Sequence, residues 1–209
     1  MTDMPFAATA DKTSASDTQG LWARLKSGTR TVHESLDNRI MSAQPFADLD
    51  RYGALVLVHH DFHSLVSPLF QDEALARVLP DLSDRDRLDK VREDLNDLGI
   101  AVPPVQTHAA DENLDIATAV GWLYAAEGSN LGAAFLFKAA EKLGLSENYG
   151  ARHLAGAPEG RARHWKSFTT ALDALDLGPE GEQQAIAGAN AAFARVRESV
   201  EQRFFAGND

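Results

Sequence analysis

Gly121-Trp122-Leu123-Tyr124-Ala125-Ala126-Glu127-Gly128-Ser129-Asn130-Leu131-Gly132-Ala133-Ala134-Phe135-Leu136-Phe137-Lys138 is the stretch whose reading decides the fold. It has no proline and no period-two alternation. At 3.6 residues per turn, Gly121, Ala125, Gly128 and Gly132 fall one above another on a single stripe. A glycine in a helix interior costs about 1 kcal/mol relative to alanine. Three on one stripe therefore call for something that approaches the backbone closely. A tightly packed partner helix and a flat ligand lying on exposed backbone both meet that requirement, and the stripe alone leaves both open.

Working outward, this helix is expected to run over residues 113–143, with Gly144 as its C-cap. Upstream, Leu21, Leu25, Val32, Leu36 and Ile40 repeat at three- and four-residue steps, and Pro45 closes that helix. A second helix is predicted over 48–66 through Tyr52, Leu55, Val56, Phe62 and Leu65, with Pro68 bending or ending it. Ser83 followed by Asp86 gives a capping-box-like start to a charged helix that ends near Gly99. Val102-Pro103-Pro104 is a rigid connector, and 148–160 reads as loop or a short broken helix. Two further helices are predicted over 160–175 and 179–205, with Pro179 suited to a first helical position. The expectation is an all-α fold of seven or eight helices without internal repeat. Residues 1–19, polar and aperiodic, read as a disordered extension, and 20–209 as one domain.

Composition narrows the function. The chain has 209 residues, 44% hydrophobic and 24% charged, and a net charge of −11. That balance argues against binding nucleic acid or an anionic membrane, since both need a basic patch to neutralise phosphates. There is no cysteine, so disulfides, Fe–S clusters and thiolate zinc sites are excluded. No apolar run reaches the ~20 residues of a membrane span, and the N-terminus has no basic start followed by an apolar core. A cytoplasmic enzyme or binding protein is expected.

Seven histidines are the candidates for soft metal ligation. His59 and His63 stand one turn apart and could clamp a metal, as could His60 with His63. The Glu-x-x-His pairs of a di-iron bundle are absent. His33 is more informative, because Arg30, Lys26 and Trp22 precede it on the same helical face at offsets of three, seven and eleven. At 5.4 Å per turn, Arg30 lies about 5 Å and Lys26 about 10 Å along the axis from His33. A neutral imidazole with cations at those distances suits a metal at the centre of a flat apolar disc with carboxylates at its rim. Heme is such a ligand. A solvated basic face beside a surface histidine is the competing account. The glycine stripe offers the second wall a heme needs, with no side chain able to displace a ligand of iron. No histidine or methionine in the stripe supplies a second axial ligand, which favours oxygen chemistry over simple electron transfer.

The sequence resembles the bacterial heme oxygenases of the branch represented in Pseudomonas and Neisseria, from about Leu21 to Phe205. The opening stretch resembles their distal helix. Asn148-Tyr149-Gly150-Ala151-Arg152-His153-Leu154 and Trp165-Lys166-Ser167-Phe168 also match, and Thr31-Val32-His33-Glu34 matches the proximal-helix motif. Four motifs in order over most of the chain carry the resemblance.

The resemblance implies a single-domain helical fold with heme sandwiched between proximal and distal helices. It implies oxidative opening of heme to biliverdin with release of CO and Fe2+, heme being both substrate and cofactor. O2 is consumed, with electrons from a ferredoxin or an NAD(P)H-dependent reductase, and a bilin-accepting protein such as a phytochrome is a possible recipient. His33 is then the axial ligand, Lys26 and Arg30 anchor the propionates, and Gly128, Ser129 and Gly132 line the reacting face. Phe193 resembles a heme-contacting aromatic, with plain core as its other role. Ser129 stands where the animal-type enzymes carry a proton-relaying aspartate, which leaves Asn130 and Arg152 as relay candidates. Family members that cut at other meso carbons have asparagine at the position of Lys26 and lysine at that of Ala139; this chain has neither, so biliverdin IXα is expected. A heme-binding transport or sensor protein that does not degrade its ligand is the alternative from another class.

Overall fold

The computed structural model describes residues 19–79, 81–105 and 114–206. Among these, seven α-helices carry the fold: α1 (Leu21–Ser42), α2 (Leu49–Phe70), α3 (Glu73–Ala76), α4 (Leu88–Asp97), α5 (Ile116–Glu141), α6 (Arg161–Asp173) and α7 (Gly178–Val200). No strand occurs among the described residues; Ser146 makes isolated bridges to Tyr149 and Gly150. The all-α class read from the sequence holds. All but one residue of the extension expected over 1–19, and residue 113 at the start of the helix expected over 113–143, lie outside the described residues.

Local chemistry sets most helix starts. Asp48 accepts the N–H of Arg51 at 2.8 Å, and Asp115 accepts the N–H of Thr118 at 2.9 Å and its hydroxyl at 2.7 Å. α1 has no side-chain cap of its own; Asp173, at the end of α6, takes the Trp22 N–H at 3.1 Å instead. Gly144, at φ +83°, lets the Leu145 N–H return to the Ala140 carbonyl and ends α5 as expected.

Several expectations need correction. α2 runs through Pro68 and ends two residues later at Phe70, without the ladder bond that Pro68 has no N–H to make. Ser83 begins a 3-10 turn (Ser83–Arg85) rather than a long helix; α4 starts only at Leu88, whose N–H is taken by Asp86 at 3.0 Å. α7 passes into a π-helical turn over Glu201–Phe205. Val32, counted on the apolar stripe of α1, is exposed; Thr29 is buried in its stead, its hydroxyl donating to the Leu25 carbonyl at 2.8 Å.

α2 lies at the centre, buried along most of its length. α5 and α7 cross in contact: a Cβ built on Gly121 would stand 2.0 Å from the Ala185 carbonyl oxygen, and one on Gly188 2.4 Å from that of Thr118. Two glycines, one on each helix, thus let the backbones touch. The main core joins α1, α2, α5, α6 and α7. A second apolar cluster packs α2, α4 and the end of α5 under Leu145, Ala151 and Leu154, and Tyr52 donates to the Gly150 carbonyl at 2.8 Å. α1 and α5 remain apart across a cavity.

Candidate active site

That cavity has a volume of about 720 Å³, within the range of roughly 300–1,000 Å³ usual for small-molecule sites. α1 lines it with Lys26, Arg30 and His33, α5 with Gly128, Ser129 and Gly132, and α7 with Phe193. The residues expected to bind heme and to line its reacting face therefore meet at one place.

On the α1 wall His33 is half open, with 49% of its side chain exposed. Its ring stands edge-on to Phe193, centroids 5.3 Å apart, so Phe193 sits on the cavity side of the core. His33 Nδ1 is 3.4 Å from Asp37 Oδ2 one turn further along. A carboxylate beside Nδ1 can steer such a ring and leave Nε2 to a metal; Asp37 was not foreseen, although its i+4 spacing makes it visible in the sequence. Lys26 and Arg30 are exposed at the rim, the Lys26 ammonium 5.7 Å from the Trp22 ring centroid.

The α5 wall separates the four small residues of the stripe into different roles. Gly121 belongs to the α7 crossing. A Cβ on Gly132 would meet no atom within 4 Å, and one on Gly128 only the tip of Trp165 at 3.9 Å. No protein neighbour requires glycine at either position, so the space belongs to the cavity. Ala125, part of the main core, lines the cavity as well. The Ser129 hydroxyl donates to the Ala126 carbonyl at 2.6 Å, which spends its hydrogen and leaves it an acceptor.

The two residues named as relay candidates lie off the cavity. Asn130 donates to Glu127 Oε1 at 3.1 Å behind α5, where Glu127 also binds Arg85 at 2.6 Å and Arg161 holds the Asn130 carbonyl at 2.8 Å. Arg152 is engaged by Glu93, Asp94 and Asp97. The cavity's inner wall instead carries His59 and His63 from α2. Burial pushes His63 down to about 3 and His59 well below the usual imidazole range, with His153 adding to both shifts. Both rings are neutral at pH 7. No group of three or more metal-binding side chains occurs among the described residues, and His59 Nδ1 is already paired with His153 Nε2 at 2.8 Å. No third ligand joins His59 and His63 among the described residues.

An open, mostly apolar cavity with glycine on one wall, an imidazole on the other and two cations at its rim has the make-up that a flat metal-bearing disc with acidic substituents would require. Comparison with known proteins gives the same class. Residues 19–202 match the heme oxygenase family, and the chain belongs to it. It is 44% identical over 181 residues to heme oxygenase PigA of Pseudomonas aeruginosa, covering 87% of this chain and 91% of that one. The heme oxygenase of Neisseria meningitidis, solved in NO- and CO-bound forms, is 41% identical with a TM-score of 0.83, covering 92% of this chain and 96% of the other. The heme oxygenase of Leptospira interrogans shares the fold at 16% identity, with a TM-score of 0.71, covering 88% and 100%.

Proposed function

We propose that the protein degrades heme to biliverdin in the cavity between α1 and α5, with release of CO and Fe2+. Family membership supports the activity; the observation that ties it to this cavity is the unclaimed space above Gly128 and Gly132 facing the His33 wall. Bound heme supplies both the iron at which O2 is activated and the ring that is cut. The protein's own residues bind and orient it. His33 would hold the iron, with Asp37 beside its Nδ1, and a neutral imidazole would withhold the electron push that a thiolate gives. Lys26 and Arg30 would pair with the propionates and so select which edge of the ring is cut. Gly128 and Gly132 bring helix backbone against the reacting face, and Ser129 accepts a hydrogen bond from water there. Phe193 packs against His33 and holds it upright.

Electrons come from a separate ferredoxin or NAD(P)H-dependent reductase that meets the exposed rim near Lys26 and Arg30, so turnover with an acidic donor should fall as salt rises. Among the described residues no helix is long and apolar enough to cross a membrane; we place the reaction in the cytoplasm, with biliverdin passing to a bilin-accepting protein such as a phytochrome. Purified protein given heme, O2 and reductant should lose its Soret band while biliverdin appears, the IXα isomer predominating. A persistent Soret band identifies a heme carrier or sensor instead, and a mainly β or δ product overturns the assignment of Lys26 and Arg30.

A further inference from the structure

The glycine wall of the cavity has little to rest on. Within 128–132 only Asn130 is buried; Ser129, Leu131 and Gly132 are exposed and line the cavity. A methyl on Gly132 would meet nothing, and one on Gly128 only the tip of Trp165. Two glycines so close together also soften the helix itself. What fixes this segment therefore lies behind it.

Behind it stands a buried ionic cluster that no binding role above uses. Glu127, immediately before Gly128, is 1% exposed. Its Oε2 accepts from Arg85 Nη1 at 2.6 Å and lies 3.3 Å from His164 Nε2, and its Oε1 accepts from the Asn130 amide at 3.1 Å. Arg85 is itself buried and reaches on to the Ser167 hydroxyl at 3.2 Å. Arg161 donates to the Asn130 carbonyl at 2.8 Å and, with its other terminal nitrogen, to the Leu154 carbonyl. Arg85 comes from the 3-10 turn Ser83–Arg85, and Arg161, His164 and Ser167 from α6. Glu127 and Asn130, three positions apart on the back of α5, are thus tied to two other elements at the height of Gly128. A buried ion pair costs desolvation, and apolar residues of similar volume often serve stability as well. What apolar residues lack is direction: a charge-assisted hydrogen bond is short and fixes its partners in one geometry.

We propose that Arg85 and Arg161 are positioning residues. Through Glu127 and Asn130 they set the height and roll of 128–132, and with it the gap between the glycine wall and the His33 wall. Neither arginine lines the cavity. The place of this wall beside heme rests on the function proposed above, whereas the clamp on α5 does not.

Hydrogen–deuterium exchange of the heme-free protein reads the clamp directly. Arg161→Leu removes one donor from a half-buried position, and Arg85→Met combined with Glu127→Leu removes the buried pair as a unit. In both, the amides of 128–132 should exchange about tenfold faster, the equivalent of one lost hydrogen bond to a charged group. Amides around His33 should keep their wild-type rates, and Arg161→Lys, which retains one donor, should exchange more slowly than Arg161→Leu. Unchanged exchange at 128–132 removes the arginine concerned from the role. An equal rise throughout the chain means lost stability alone and overturns the proposal. Should the double variant fail to fold, Arg161→Leu decides. The CO complex of the ferrous heme-loaded protein gives the second readout. Wild type should show one narrow C–O stretching band, which the variants broaden or split while the iron–histidine stretch of the CO-free ferrous form stays put. Faster exchange at 128–132 with an unaltered C–O band leaves the clamp standing and overturns the placement of this wall beside heme.

Discussion

His33 stands half in solvent, so the core alone does not hold its ring. Two contacts do: the edge of Phe193 on one side and the Asp37 carboxylate 3.4 Å from Nδ1 on the other. Partners of ligating histidines are worth about 10- to 100-fold in metal affinity or activity, and exposure of Asp37 places it toward the lower end. Asp37→Leu should weaken heme binding by about tenfold and lower the iron–histidine stretching frequency in resonance Raman spectra. An unchanged frequency means that another group orients the ring. This partner was legible in the sequence from its i+4 spacing, as were Arg30 and Lys26 from theirs. The contacts of Arg85 with Glu127 and of Arg161 with Asn130 were not, since their members are separated by 42 and 31 positions and no local period links them.

α5 is built from two kinds of glycine. At Gly121 an added methyl meets the backbone of α7 at 2.0 Å, and that backbone cannot yield without moving the helix. Gly121→Ala should therefore destabilise the protein by about 1–3 kcal/mol despite a better helix propensity. At Gly132 the methyl meets nothing within 4 Å, so Gly132→Ala should keep or raise the melting temperature while reducing heme turnover. The opposite pattern of melting temperatures would mean the two glycines have been assigned to the wrong neighbours. The stripe itself was plain in the sequence, because all its members share one face. Which member meets a helix and which meets a ligand depends on where α7 crosses, and that information lies some 65 residues away. Long periodic helices were legible for the same reason that the stripe was. The four-residue α3, the 3-10 turn at Ser83 and the passage of α2 through Pro68 were not, because too few residues are involved to show a period.

At the scale of the whole molecule, the protein folds around neutral imidazoles. His63 is pushed down to about 3 by burial and His59 well below its usual range, whereas in the unfolded chain both protonate near pH 6.5. The unfolded state therefore binds more protons below that pH, and stability falls as pH drops from about 6.5 toward 3 by up to about 1.4 kcal/mol per unit for each ring. Asp61, whose own burial is outweighed by the neighbouring His60 ring and by hydrogen bonds from Arg203 and Ser199, is held at about 2 and adds a loss only below about pH 4. Melting temperature of the heme-free protein should already decline between pH 6.5 and 5; a flat profile there means these rings are solvated. The most direct test of the proposed heme site is ferric heme titration of wild type and His33→Ala, followed by optical and electron paramagnetic resonance spectra with and without added imidazole. The wild type should show a single axial histidine, His33→Ala should lose it, and imidazole should restore it. A His33→Ala protein with wild-type affinity and an unchanged histidine-ligated spectrum would place the heme elsewhere and contradict the account.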